Sequence, residues 1–139
     1  MIVDDSPEII FTIKDGLEEE GSNYQIISAD NGESCIDFLK NNSPPDLLLL
    51  DIMMPGMNGW KVLKRIRSNE NWKNTPIVFL TAKTDEFSKG YGKIIAQEYI
   101  EKPFTIEELK VKIEQVLSKN NQNSRNKQKI IDDMINHIP

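Results

Sequence analysis

Leu47-Leu48-Leu49-Leu50-Asp51-Ile52-Met53-Met54-Pro55-Gly56 is the stretch of the chain that decides its fold. Four consecutive leucines bounded by turn residues are typical of a strand that is buried on both faces of a parallel sheet. Asp51 ends this strand, and a carboxylate there has to be hydrated, neutralised or bound, since a buried charge is costly. Ligands of open α/β sheets bind at the carboxyl ends of the strands. The stretch therefore predicts a parallel sheet with a site at Asp51.

Four other apolar segments have the length of strands. With the leucine run, they predict strands over residues 2–3, 24–28, 46–51, 77–80 and 98–100. Amphipathic segments between and after them predict five helices, which start near Pro7, Gly32, Gly59, Asp85 and Ile106. Thr105 and Glu108 have the spacing of a capping box for the last of these helices. Gly56 and Gly59 are expected to be turn and helix-entry residues. Strands that alternate with helices favour a parallel sheet covered on both faces through right-handed crossovers.

Three details of this pattern carry separate expectations. Two residues are few for a central strand, so we expect further residues of the first strand to precede Ile2. Gly21 is expected to close the first helix. The helix over residues 85–95 is the weakest, because Gly90 and Gly92 each cost about 1 kcal/mol of helix propensity.

Composition narrows the class of protein. The 139 residues suit one domain, and a net charge of −5 argues against general nucleic-acid binding, which needs a surplus of Lys and Arg. No segment has the length of a membrane span or the form of a signal peptide. Cys35 is the single cysteine and lies in a helical pattern, which favours a buried hydrophobic residue over a reactive thiol. The location expected from these features is the cytoplasm.

Polar residues follow the predicted strands at their carboxyl ends: Asp4, Asp5, Asp51, Thr81 and Lys102. A sheet of order 2-1-3-4-5 places Asp5 beside Asp51 at the point where the strand order reverses. Three converging carboxylates repel one another unless a cation joins them, and ligands that are all oxygen favour Mg²⁺. A carboxylate on Mg²⁺, with a hydroxyl and an ammonium nearby, is arranged to attack phosphorus and form an aspartyl phosphate.

These motifs resemble the receiver domain of two-component response regulators. The resemblance extends from the first residue to about Ser118 and rests on four segments that occur in the family's order and spacing: Ile2-Val3-Asp4-Asp5-Ser6-Pro7, Leu49-Leu50-Asp51-Ile52-Met53-Met54-Pro55-Gly56-Met57-Asn58-Gly59, Leu80-Thr81-Ala82 and Tyr99-Ile100-Glu101-Lys102-Pro103-Phe104. It implies a flavodoxin-like, doubly wound sheet of five parallel strands in the order 2-1-3-4-5.

The resemblance also implies a magnesium site around the phosphoacceptor. Asp51 would accept the phosphoryl group, and Asp5 and Asp51 would bind Mg²⁺ directly. Asp4 would act mainly through a bound water, and the backbone carbonyl of Met53 would complete the protein ligands. The alternative, that Asp4-Asp5 only caps a helix, is disfavoured by the presence of Asp51 and Lys102.

Residues of the last two strands would bind the phosphoryl group and change conformation in response to it. Thr81 and Lys102 would bind the phosphoryl oxygens, and Ala82 would leave room for the group. Tyr99 would be the aromatic switch that turns inward as Thr81 moves, although an aromatic residue on an edge strand also suits plain packing. The Lys102-Pro103 peptide bond would be cis, which is uncommon.

The leading functional hypothesis is a phospho-accepting signalling switch that is not a turnover enzyme. A sensor histidine kinase would donate the phosphoryl group, and a homodimer or an effector protein would receive the signal, without direct binding to nucleic acid or membrane. One alternative is a Mg²⁺-dependent phosphatase with an aspartyl nucleophile, but Met53 stands where such enzymes have their general acid. The other is an interaction module that works without phosphorylation, which the intact site residues disfavour.

The chain divides into a predicted receiver domain over residues 1–118 and a tail over residues 119–139. Residues 120–127 are polar and are expected to be structureless. Ile131, Met134, Ile135 and Ile138 form an apolar stripe. They fit either a disordered end or a short amphipathic helix against this domain, a second copy or a partner. The chain is either a stand-alone receiver or part of a longer protein.

Overall fold

The computed structural model describes residues 1–19, 23–82 and 98–136. In these residues, five strands and four helices follow one another along the chain. They are β1 (Ile2–Val3), α1 (Pro7–Glu19), β2 (Ser28–Ala29), α2 (Gly32–Asn41), β3 (Leu48–Asp51), α3 (Gly59–Arg67), β4 (Ile77–Ala82), β5 (Glu98–Lys102) and α4 (Ile106–Asn136).

The strands form one sheet in the order β2-β1-β3-β4-β5, and every neighbouring pair is parallel. The order 2-1-3-4-5 predicted from the sequence is confirmed. It reverses direction between β1 and β3, where Val3 pairs with Leu50. That reversal opens the crevice in which ligands of doubly wound sheets bind.

The leucine run divides its side chains between the two faces of the sheet, because successive residues of a strand point to opposite sides. Leu48 and Leu50 belong to a core that also contains buried residues of α2 and α3. Leu47 and Leu49 belong to a second core, which contains buried residues of α1 and α4. The predicted placement of helices on both faces is therefore confirmed, and both faces of β3 are buried.

Local signals set the helix starts. The side chains of Asn31 and Asn58 accept hydrogen bonds from the backbone of Ser34 and Lys61, at 2.7 and 3.0 Å, and so cap α2 and α3. At the start of α4, Thr105 Oγ1 accepts from the Glu108 N–H and the Glu108 carboxylate accepts from the Thr105 N–H. This is the predicted capping box.

Gly59 lets α3 start directly against the end of β3. A Cβ at this position would lie 2.4 Å from the Asp51 carbonyl oxygen and 2.7 Å from Ile52 Cα, both of which are backbone atoms. Gly56 turns the preceding loop with a φ of +71°, a conformation that side chains disfavour. The two glycines have the backbone roles that the sequence predicted for them.

The second strand is shorter than predicted. The sequence suggested residues 24–28, but only Ser28–Ala29 form β2. The two residues of β1 pair with Ser28 and Ala29, so the ladder between these strands contains only those pairs. Ile26 and Ile27 are half-buried, but residues 24–27 are not part of the strand, so the prediction of a strand over these residues is wrong.

The end of the chain also differs from its prediction. Residues 120–127 were expected to be structureless, whereas α4 continues through them to Asn136 as one helix of 31 residues. No glycine or proline interrupts residues 106–136, so a helix that is fixed on the sheet can propagate at small cost per residue. The prediction of a structureless linker is wrong. The domain boundary at Ser118 stays a prediction.

Two predictions fall outside the described residues: the helix over residues 85–95 and the closure of the first helix by Gly21.

Candidate functional site

The carboxyl ends of four strands bring the predicted site residues to one edge of the sheet. Asp4 and Asp5 follow β1, and Asp51 ends the neighbouring β3. Thr81 lies in β4, next to β3, and Lys102 ends β5. In parallel strands these ends share one edge, so the order of the sheet alone accounts for the assembly of residues that are far apart in the chain.

Three carboxylates meet at this edge. One oxygen each from Asp4, Asp5 and Asp51 lies within 4.8 Å of the others. Asp4 is 0% exposed and Asp51 is 4% exposed, whereas Asp5 is exposed to solvent. This geometry agrees with the prediction from the sequence that the three side chains converge.

Lys102 partly neutralises the cluster. Its ammonium lies 2.9 Å from Asp4 Oδ2 and 3.3 Å from Asp51 Oδ1. The Lys102-Pro103 peptide bond is cis, as the resemblance implied. The sequence had suggested Lys102 as a ligand of phosphoryl oxygens, but it gave no sign of the close ion pair with Asp4. That pair depends on the alignment of β5 with β1 across two intervening strands.

Asp51 is held in an environment that disfavours its ionised form. Burial, followed by the negative charge of Asp4, raises the pKa of Asp51 from 3.8 to about 6. The ammonium of Lys102 and the N–H of Met53, which donates to Asp51 Oδ1 at 3.3 Å, act in the opposite direction but are weaker. The cluster thus has more negative charge than its protein partners offset.

Thr81 has a hydroxyl with no partner. Its Oγ1 is buried and makes no hydrogen bond within the described parts of the chain. Buried polar atoms are rarely left unsatisfied, and an exception calls for an explanation such as an absent ligand. This observation agrees with the phosphate contact predicted for Thr81.

Tyr99 lies on β5, opposite Phe79 of β4. Its ring is partly buried and packs against the core that contains α2 and α3. The packing role and the switch role that the sequence suggested are both compatible with this position.

The donor set of the cluster fits Mg²⁺. All side-chain ligands are carboxylate oxygens, which hard divalent cations prefer, and the exposed Asp5 leaves a side open for the waters that Mg²⁺ keeps. A divalent cation would also offset the charge that raises the pKa of Asp51. Asp4, Asp5 and Asp51 are therefore the described residues that can hold the metal.

Comparison with known proteins identifies the family to which the chain belongs. The model of the response regulator receiver domain matches residues 1–114, which is most of the chain. The chain belongs to this family, the receiver domains of two-component response regulators. The family works with sensor histidine kinases and effector domains, and its members bind Mg²⁺ at an acidic pocket.

Curated proteins with similar sequences support this family assignment. The transcriptional regulatory protein CpxR of Escherichia coli is 38% identical over 118 residues, which cover 84% of this chain and 48% of CpxR. PhoP of Bacillus subtilis, described as an alkaline phosphatase synthesis transcriptional regulatory protein, is 34% identical over 118 residues, 84% of this chain and 47% of PhoP. The chain thus spans about half the length of the curated relatives it matches.

Solved structures show the same fold. A response regulator structure from Chloroflexus aurantiacus superposes with a TM-score of 0.76 at 32% identity and covers 84% of this chain and 94% of that chain. A CheY-like receiver domain from Methanospirillum hungatei superposes with a TM-score of 0.67 at 40% identity and covers 84% of this chain and 89% of that chain.

Among the residues that the structure describes, none of the helices combines the length and the apolar character that a membrane span requires.

Proposed function

We propose that the chain is a phosphorylation switch in which Asp51 accepts a phosphoryl group from the phosphohistidine of a sensor histidine kinase. The observation that carries the proposal is the cluster of Asp4, Asp5 and Asp51 beside the Lys102 ammonium, at the carboxyl edge of the sheet. The family supports it, because receiver domains of response regulators act with histidine kinases.

Asp51 is the nucleophile of the proposed reaction. Its carboxylate oxygen attacks phosphorus, the bond from phosphorus to the donor nitrogen breaks, and the leaving imidazole keeps the electron pair. Asp5, Asp51 and the Met53 carbonyl would hold Mg²⁺, with Asp4 acting through a water. The metal would supply positive charge for the phosphoryl oxygens and offset the Asp4 charge, which adds to the effect of burial in raising the pKa of Asp51.

Lys102 and Thr81 would recognise the phosphoryl group once it is attached. The Lys102 ammonium is already within 3.3 Å of Asp51 and can transfer its ion pair to a phosphoryl oxygen. The Thr81 hydroxyl, which makes no hydrogen bond with the residues that the structure describes, would donate to another oxygen. Ala82, the next residue, is small and exposed, which leaves access to the site.

The signal would leave through β4 and β5. Movement of Thr81 towards the phosphoryl group shifts the end of β4, and Tyr99 on the paired strand would turn inward into the space that is released. The changed surface would then be read by an effector or by a second copy of the chain. The chain spans about half of CpxR and PhoP, so the effector is either a separate protein or a further domain of the same protein. The cytoplasm is the proposed location of the switch.

Incubation with acetyl phosphate and Mg²⁺, followed by intact mass measurement, tests the proposal. We expect the mass of one added phosphoryl group, its loss when EDTA replaces Mg²⁺, and no addition in Asp51→Asn. Asp37→Asn is the matched control, because Asp37 is exposed on α2 and lies outside the cluster. An unmodified wild-type chain would favour the interaction module, and continuous release of phosphate from many substrates would favour the phosphatase.

A further inference from the structure

A second concave surface lies between α2 and α3 and runs along α3 from its first turn to its end. This α2–α3 groove has a volume of about 930 Å³. None of Asp4, Asp5, Asp51, Thr81 or Lys102 lines it, so it is separate from the acidic cluster. Small-molecule sites in proteins have volumes of about 300–1,000 Å³, so the groove has room for one.

Four cations line the α2–α3 groove, and no acidic residue lines it. They are Lys40 of α2 and Lys61, Lys64 and Arg65 of α3, and all four are exposed. In the described part of the chain, none of these four side chains forms an ion pair or a hydrogen bond. Among residues 1–19, 23–82 and 98–136, these positive charges have no protein partner.

Two basic residues near the groove, Arg67 and Lys73, have protein partners, unlike the four that line it. Arg67, also on α3, donates to the carbonyl oxygens of Lys73 and Thr75 at 2.9 and 2.8 Å. Lys73 forms an ion pair with Glu70 at 2.8 Å. Unpartnered charge is therefore a property of the groove and not of this whole region.

Helix dipoles do not account for the arrangement. Cations at the end of a helix are favourable, which gives Lys40, Lys64 and Arg65 a local role in α2 and α3. Lys61, however, lies in the first turn of α3, where the dipole favours an acid and disfavours a cation. Residues 52–69 contain four basic residues and no acidic one, although the whole chain has a net charge of −5.

The remaining lining of the groove is suited to a nucleoside. Leu39, Met57 and Trp72 give it an apolar floor, and Asn42, Asn69 and Asn71 add polar residues to its lining. The Asn42 amide donates to the Phe38 carbonyl at 3.0 Å, and the Asn69 amide oxygen accepts from the Asn71 N–H at 2.9 Å. The whole chain has a net charge of −5, which favours a small anion over a nucleic acid, because a nucleic acid would also meet acidic surface outside the groove.

We propose that the α2–α3 groove binds a nucleoside polyphosphate. Its phosphate groups would lie among Lys40, Lys61, Lys64 and Arg65, and its base would lie over the apolar floor. Guanidinium and ammonium groups form charge-assisted hydrogen bonds with phosphate oxygens, and several such groups around one ligand act together. The site is independent of phosphorylation at Asp51.

Isothermal titration with ATP tests this proposal. The buffer contains EDTA, so that phosphate groups cannot be recruited to the acidic cluster through Mg²⁺. We expect saturable binding with one site, and an affinity at least about tenfold weaker in K61Q/K64Q/R65Q, because three of the four phosphate contacts are lost. The control K119Q/R125Q/K129Q removes the same charge from exposed positions of α4 and should change the affinity less than twofold.

Further titrations identify which part of the ligand is recognised. Inorganic tripolyphosphate should bind more weakly than ATP, and adenosine should not bind measurably. Asp51→Asn should bind ATP as the wild type does. The proposal is overturned by an absence of ATP binding, by equal losses in the groove and control variants, or by tripolyphosphate binding as tightly as ATP, which would leave a free polyphosphate as the ligand. Circular dichroism of both triple variants verifies that they are folded.

Discussion

Asp51 is subject to opposing electrostatic influences. Burial and the Asp4 carboxylate disfavour its charge, whereas Lys102 and the Met53 N–H favour it, and the first pair prevails. The excess of negative charge attracts a cation to the site, and it also lowers the free energy of unfolding when no cation is bound. Reactive sites commonly have such a cost, because function fixes charges that packing alone would not choose.

The raised pKa of Asp51 predicts a pH-dependent stability. With a pKa of about 6 in the folded state and 3.8 as the usual value, the folded state holds the Asp51 proton more tightly than the unfolded state. The contribution of Asp51 to the free energy of unfolding is therefore present below pH 3.8 and is lost as the pH rises through about 6. In EDTA at pH 7.5, Asp51→Asn should raise the free energy of unfolding by about 1–3 kcal/mol.

Urea unfolding at pH 7.5 and pH 4.5 measures this difference. The gain from Asp51→Asn should be smaller at the lower pH, where the native Asp51 is already protonated. The exposed Asp37→Asn serves as the control and should change little at either pH. Equal gains from Asp51→Asn at both values of pH would contradict the assignment of the effect to Asp51 ionisation.

Cys35 should be an unreactive thiol. It is buried with 0% exposure, and burial raises its pKa to about 11, so the thiolate that reacts with disulfide reagents is scarce. In native protein at pH 8, its reaction with Ellman's reagent should be slower than in guanidinium by a factor on the order of a hundred. Release of thionitrobenzoate measures the rate, and a fast reaction of the native protein would show that Cys35 is accessible.

The start of α3 is fixed by its contact with β3. Gly59 brings the helix so close to the strand that its N–H donates to the Ile52 carbonyl at 2.9 Å. Asn58 caps the same turn. These contacts set the loop from Asp51 to Asn58, including Met53, whose carbonyl is proposed as a metal ligand.

Gly59→Ala should destabilise the protein and disturb the site. The added Cβ meets backbone atoms of Asp51 and Ile52, which cannot move aside as a flexible side chain can. We expect a loss of about 1–3 kcal/mol in the free energy of unfolding, measured by urea denaturation, and weaker Mg²⁺ binding. Lys61→Ala in the same helix is exposed and should cost little. A Gly59→Ala protein as stable as wild type would show that β3 and α3 can separate at no cost.

At the scale of the whole molecule, α4 extends from the hydrophobic core past the predicted domain boundary. Leu109, Ile113 and Val116 are buried in the core shared with α1. The helix then continues for 18 residues beyond Ser118, to Asn136. Among the α4 side chains that the structure describes, the last one buried in this core is Val116, and the boundary at Ser118 stays a prediction.

Removal of residues 119–139 tests the predicted boundary. The shortened chain should fold with a thermal midpoint within a few degrees of the full chain, because the buried residues Leu109, Ile113 and Val116 of α4 are retained. It should lose helical signal in circular dichroism. By contrast, Ile113→Ala in the full chain should cost about 2–5 kcal/mol. A shortened chain that fails to fold would place the extension within the domain.

The sequence predicted the fold well where one signal was sufficient. The leucine run, the alternation of strands and helices, and the Thr105–Glu108 capping box depend on local patterns, and the structure has them. The prediction was poorer where pairing or helix propagation decides the outcome. β2 is limited by the two residues of β1 that pair with it, and the polar residues 120–127 are helical because α4 continues through them.

The site shows the same division. Residue types and spacing along the chain were enough to single out Asp4, Asp5, Asp51, Thr81 and Lys102, since each stands at the end of a recognisable strand. Only the tertiary structure decided the 2.9 Å contact between Lys102 and Asp4, the lack of a partner at Thr81 and the raised pKa of Asp51. Hydrophobic periodicity is a property of a short segment, whereas burial and Coulomb interactions depend on distances between segments that are set when the sheet assembles.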